Sequence, residues 1–221
     1  MIFILIFFFS IYKGFLFFKN KQTTEEYYVN SLKMSIKKAG SENSYNIASE
    51  FIEKYPGSEL LGYAYFSRGK YFYERMMYEK SLQEFQKASK YSLDTDIKIL
   101  LQLHLSYAYM CLNDITSSME YSLKVYDLLE KGKLKAFAAF QTGLCMSAFK
   151  MYEKAIYYFE KVIEYSPDED LIKQAKLEKL KILKKVDLKK AEKYEIMIKG
   201  ISDNMQTEEK EEVNSEKKDA D

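Results

Sequence analysis

Few side chains in this 221-residue chain carry reactive chemistry. Its one histidine, His104, lies within the apolar stretch IKILLQLHLSYAYM, where an imidazole packs or lines a groove more readily than it moves protons. Cys111 and Cys145 also fall in apolar stretches, at a spacing that suits neither a disulfide framework nor a zinc site. Both are expected to be buried thiols that pack as small hydrophobes. Paired acids such as Glu208 and Glu209 have the right type for acid–base work, but they stand in a polar tail where nothing fixes their geometry. There is no glycine-rich phosphate loop and no HExxH helix. The expectation is a protein that is no enzyme, with no catalytic residue, no metal site and no cofactor. Its chemistry has to be that of a binding surface.

A spacing defines the elements that would present such a surface. The segment from Gly69 through Tyr78 and Phe85 to Ala88 recurs about every 37 residues. A small residue comes first in each copy (Gly69, Ser106, Gly143), followed by a bulky one (Phe72, Tyr109, Met146). Apolar Tyr78, Ile115 and Tyr152 open a second helix, which continues through small Ser81, Ser118 and Ala155. The copy ends on Phe85, Ser122 and Phe159, then Ala88, Val125 and Val162. Ala64, Arg68, Gly69, Phe72 and Tyr73 lie three or four apart, on one helical face. Tyr78, Ser81, Leu82, Phe85 and Ala88 form a second stripe, and the short polar link near Glu74 to Met77 makes the two helices antiparallel. Small residues let each pair approach closely, and aromatic residues fill the space beside the crossing. Asp114 is expected to cap the helix that follows the Asn113–Asp114 turn, and Pro167 to end the fourth unit.

Composition agrees with a helical array. Only 8 glycines and 2 prolines occur in a chain that is 47% hydrophobic, too few turn formers for a hairpin-rich sheet. The 34 basic and 33 acidic side chains nearly cancel, so bulk charge gives no reason to expect nucleic acid as a partner. Residues 2–18, IFILIFFFSIYKGFLFF, form an apolar run near the short end of what a spanning helix needs, about 17 to 25 residues. Without a basic start or a small-residue cleavage site, the run fits an uncleaved single-pass anchor better than a cleaved signal. Lys13, Lys19 and Lys21 would keep the following domain cytoplasmic by the positive-inside rule, whereas an envelope role needs it in the periplasm. Both sides stay open. The expected domains are an anchor at 1–20, a repeat domain at 24–199 and a disordered charged tail at 202–221. The repeat domain has units near 25–56, 61–93, 98–130 and 135–168, and a degenerate capping unit at 171–199. That last unit is rich in lysine from Lys173 to Lys193, a pattern expected of a solvated face and compatible with anionic headgroups or an acidic partner.

The segment MYEKAIYYFEKVIEYSP, residues 151–167, resembles the second helix of a tetratricopeptide repeat, and YFSRGKYFYERMMYEKSLQEFQKASKYS, residues 65–92, resembles the same family. The resemblance implies an all-α, right-handed superhelical solenoid of antiparallel helix pairs that binds a protein or peptide along its concave wall. The period exceeds the family's usual 34 residues, and Ser122 stands where an aromatic residue is expected. By the resemblance, the wall is lined by Phe66, Lys70 and Tyr73 in the second unit, Leu103, Tyr107 and Met110 in the third, and Phe140, Leu144 and Ser147 in the fourth. Such a lining suits an apolar or amphipathic segment. Family members that clamp chaperone tails place lysine and asparagine where this chain has Phe66 and Leu103. FIEKYPGSELLGYAYFSRGKYFYE further resembles a bacterial envelope subgroup with a Tyr-Pro-x-Ser connector, which includes BamD-like outer-membrane assembly factors and periplasmic cell-wall coordinators. The implied function is a membrane-anchored, non-catalytic scaffold, or more narrowly a BamD-like factor.

Overall fold

A computed structural model describes residues 12–13, 24–38 and 40–198, and every regular element among them is a helix. Helix α1 covers residues 24–36 and is followed by α2 (Glu42–Lys54). Next come α3 (Leu61–Glu74), α4 (Tyr78–Ala88), α5 (Thr95–Cys111) and α6 (Ile115–Leu128). The series closes with α7 (Lys133–Ala148), α8 (Tyr152–Tyr165), α9 (Glu169–Val186) and α10, residues 188–198. Apart from Tyr12 and Lys13, the apolar run at 2–18 falls outside the described residues, as does the charged tail at 202–221. Among the described residues no helix is long and apolar enough to cross a membrane.

The turn inside each of three helix pairs is built alike. Met76, Asn113 and Lys150 adopt left-handed backbone, with φ of 57°, 63° and 59°. The next amide in each case reaches back to close the preceding helix: Met77 to the Phe72 carbonyl (2.9 Å), Asp114 to Tyr109 (2.9 Å) and Met151 to Met146 (2.8 Å). This is the Schellman arrangement, which satisfies carbonyls that a helix end leaves free. The same three residues then start the second helix, and their carbonyls accept from Ser81, Ser118 and Ala155. Only Asp114 also caps with its side chain, accepting from the Ser117 amide at 3.0 Å. Ser41 and Asp168 cap α2 and α9 in the same way.

The chain divides into two compact units, residues 1–121 and 122–221. In the first, α3 and α4 run antiparallel: Gly69 lies against Phe85, while Gly62, one end further on, lies against Tyr91 and the Ala88 carbonyl. A Cβ on Gly69 would run into the Phe85 ring, so the close approach requires glycine there. Phe51, Phe66 and Phe85 are fully buried in a core that also takes Leu32, Ile97 and Leu105. Each such ring contributes about 1.5–3 kcal/mol by leaving water. In the second unit Gly143 meets Phe159 in the same manner, its would-be Cβ falling 2.8 Å from the ring. Ala136, Ala139, Ala155, Val162, Ala175 and Ile182 complete that interior. Ser122, at the position that lacks its expected aromatic ring, is fully buried and accepts from the Thr142 hydroxyl at 2.9 Å.

Candidate functional site

In the first unit α3 and α5 bring together Tyr73, His104, Tyr107 and Met110, all half-buried. The His104 ring lies 5.4 Å from Phe66, 5.5 Å from Phe85 and 6.0 Å from Tyr73, centroid to centroid. Tyr73 also packs edge-on against Tyr78 at 5.6 Å, and its hydroxyl stands 4.0 Å from the Cys111 sulfur. Three of the nine side chains assigned to an open wall do not present a surface. Phe66 is fully buried between Phe85 and His104, and Leu103 is 3% exposed. Helix α5 carries apolar residues on nearly every face, and Leu103 lies on one that is packed, beside buried Ile99 and Ser106. Lys70 is 7% exposed and donates its ammonium group to the carbonyls of Ile36 and Lys38, where α1 ends. It satisfies two carbonyls left free by that helix and meets the negative end of its dipole. Tyr73, Tyr107 and Met110 remain half-exposed.

The second unit holds the other three residues, Phe140, Leu144 and Ser147, all on α7 and all half-buried. Phe140 packs against Phe159 at 5.7 Å. Cys145 is buried as expected, but Cys111 is exposed, because it occupies the last position of α5. Thr142 was not legible as a partner for Ser122; its only sequence signal is a hydroxyl one residue before the small Gly143.

Electrostatics leaves this surface uncharged. Burial drives the His104 imidazole down to about 3, with the nearby Lys70 ammonium acting in the same direction, so the ring is neutral around pH 7. Its Nδ1 is buried and has no hydrogen-bond partner. Burial raises the Tyr107 phenol; burial and then the Cys111 thiol raise that of Tyr73. Desolvation also lowers Lys70. No carboxylate orients the imidazole, and among the described residues no group of three or more His, Cys, Asp or Glu side chains is placed to hold a metal ion. Two neutral phenols, a neutral imidazole edge and the Met110 thioether make a patch suited to aromatic and aliphatic contact rather than to proton transfer.

No protein-family model matches the chain, and no curated protein matches it in sequence. Among solved structures it is similar to Bacillus thuringiensis PlcR in complex with the peptide PapR7 and DNA, with a TM-score of 0.56 and 13% identity over 86% of this chain and 74% of that one. At that identity the likeness shows the fold, a helical repeat. The envelope-subgroup resemblance gains no support from it. Nor does the expectation that excludes nucleic acid, since that structure contains both peptide and DNA.

Proposed function

We propose that the chain is a non-catalytic helical-repeat scaffold that binds a protein or peptide partner through half-exposed first-helix side chains, and that residues 2–18 tether it to a membrane. The observation that carries the binding role is the uncharged patch of Tyr73, Tyr107 and Met110 on α3 and α5. Its aromatic and thioether groups are held half-open over a rigid core, the makeup of a contact hot spot. A fold shared with a protein solved around a bound peptide is consistent with this role. The tether rests on the apolar run IFILIFFFSIYKGFLFF. An envelope location is supported by the Tyr55-Pro56-Gly57-Ser58 connector alone, and the narrower BamD-like reading has nothing further in its favour.

Affinity purification from detergent-solubilised membranes tests the binding role. A stoichiometric partner recovered with the wild type should be lost with Tyr73→Glu plus Met110→Glu, provided that circular dichroism shows intact helix. Equal recovery with the folded variant would remove this surface from the account. Protease accessibility in sealed membrane vesicles tests the tether and its sidedness, and a chain that washes off in high salt without detergent would contradict it.

A further inference from the structure

We propose that the cleft between α8, α9 and α10 of the second unit docks an acidic amphipathic helix from a partner protein. It uses none of the first-helix residues discussed above, so the two surfaces stand or fall separately. Two adjoining cavities of about 620 and 610 Å³ share Ile156, Leu183 and Lys190. Each is of the size that takes several buried side chains. The floor is apolar: beside Ile156 and Leu183 stand Val186, Ile196 and Met197, of which the last three are 50%, 72% and 50% exposed. Such residues at the edge of a groove mark an interaction site rather than scattered surface.

The rim selects the charge of the occupant. Lys179 and Lys190 are already paired, with Glu160 at 2.7 Å and Asp187 at 3.7 Å. Lys150, Lys154 and Lys193 also line the cleft and make no ion pair among the described residues; the one lining acid outside those pairs is Glu153, so the rim stays net positive. Long lysine stems can lie along apolar surface while their heads reach acids at the edge of a bound segment. In the same wall stands Tyr194, whose ring lies beneath the Lys179 ammonium at 4.5 Å. A groove between helices receives side chains spaced i, i+3, i+4 and i+7, so the fitting partner is a helix with an apolar stripe and glutamates flanking it.

Two other occupants fit less well. The chain's own acidic segment, residues 202–221, carries only Met205, Val213 and Ala220 as apolar side chains, too few to cover the floor. A second copy placed by two-fold symmetry would set one lysine rim against another, which like-charge repulsion opposes.

The test measures fluorescence anisotropy of a labelled synthetic helix of about 18 residues, with leucine at i, i+3, i+4 and i+7 and glutamate elsewhere, titrated with the full chain. Binding should weaken roughly tenfold or more with Lys150→Glu/Lys154→Glu/Lys193→Glu, and also as salt screens the rim. The single variant Ile196→Glu, at an exposed site, should weaken it as well and serves if the triple variant misfolds. A version of the peptide with lysine in place of glutamate should bind far more weakly. Equal binding of the two peptides, or unchanged binding by the folded variants, overturns the proposal. So does much tighter binding after deletion of residues 202–221, which would make the tail the occupant. A concentration-dependent dimer abolished by Ile196→Glu, with no peptide binding, would put a second copy there instead and overturn it too.

Discussion

The Ser81 hydroxyl donates to the Gly69 carbonyl at 2.9 Å, binding α4 to α3 where the two helices come closest. One repeat further on both helices carry a serine: Ser106 donates to the Ser118 carbonyl at 2.8 Å, and the two hydroxyls lie 3.2 Å apart. The third copy has Gly143 and Ala155 at these positions, with no hydroxyl at either, and Gly143 lies against the Phe159 ring. A small residue at this crossing therefore serves two ends. It admits a neighbouring aromatic ring, and where it is serine it gives a buried backbone group a partner.

Gly69→Ala should destabilise the fold even though alanine favours helix by about 1 kcal/mol, because overpacking a fully buried ring costs about 1–3 kcal/mol. The Phe85 ring that the new Cβ meets is 0% exposed and has no room to move aside. Gly57→Ala is the control, since nothing lies within 4 Å of its would-be Cβ. Urea midpoints should fall for Gly69→Ala and hold for Gly57→Ala, and equal midpoints would disprove the close-approach account.

The intra-pair turns place Met76 and Lys150 in backbone that favours glycine or asparagine, while Asn113 already suits it. Met76→Gly and Lys150→Gly should each stabilise by about 0.5–1 kcal/mol. Met77 and Met151 open α4 and α8 without a side-chain cap. Aspartate at either position, as Asp114 provides for α6, should add about 1 kcal/mol. Thermal melting of the four single variants checks both effects, and uniform losses would mean that the methionine side chains are needed where they stand.

His104 makes stability depend on pH. Its folded value lies near 3, below the unfolded value of about 6.5, so between those limits the unfolded chain binds the extra proton. Stability is unaffected above that window and falls as pH drops through it, by about 2 kcal/mol between roughly pH 7 and 5. Lys70 and Tyr73, the ionisable groups beside the ring, keep their charge states over this range. His104→Leu, which also removes the unpaired Nδ1, should flatten the dependence. Equal slopes for variant and wild type in urea unfolding at the two pH values would show that the imidazole is solvated.

Lys70 holds α1 by its end. Lys70→Met leaves the Ile36 and Lys38 carbonyls without their donor and should cost about 1–3 kcal/mol. Hydrogen exchange should quicken selectively over residues 24–36, and exchange that stays slow there would assign the docking of α1 to its apolar contacts alone.

The helix pairs were legible because their signal is local. Gly69 and Phe85, or Gly143 and Phe159, stand at fixed offsets within one hairpin, so the period itself encodes the crossing. The outward face was harder to read. On α5 an apolar residue follows at almost every step, and periodicity does not separate Leu103, which is buried, from Tyr107 and Met110, which are half-exposed. Lys70 was misplaced for a different reason: a buried lysine requires carbonyls to receive it, and those come from α1, more than thirty residues away. The turns were located by their polar residues, but the left-handed Met76 and Lys150 carry no glycine to announce them. The lysine-rich stretch read as solvent-facing, and the structure adds that α9 and α10 leave an apolar floor beneath it.

Site-specific photo-crosslinking tests the central claim most directly. A photoreactive phenylalanine analogue at Met110 or Leu144, on first helices, should trap a discrete partner in membranes. The same group at exposed Gln86 or Glu120, on second helices, should trap little. Adducts formed only from Gln86 and Glu120, or equally from all four sites, would contradict a binding surface built on the first helices.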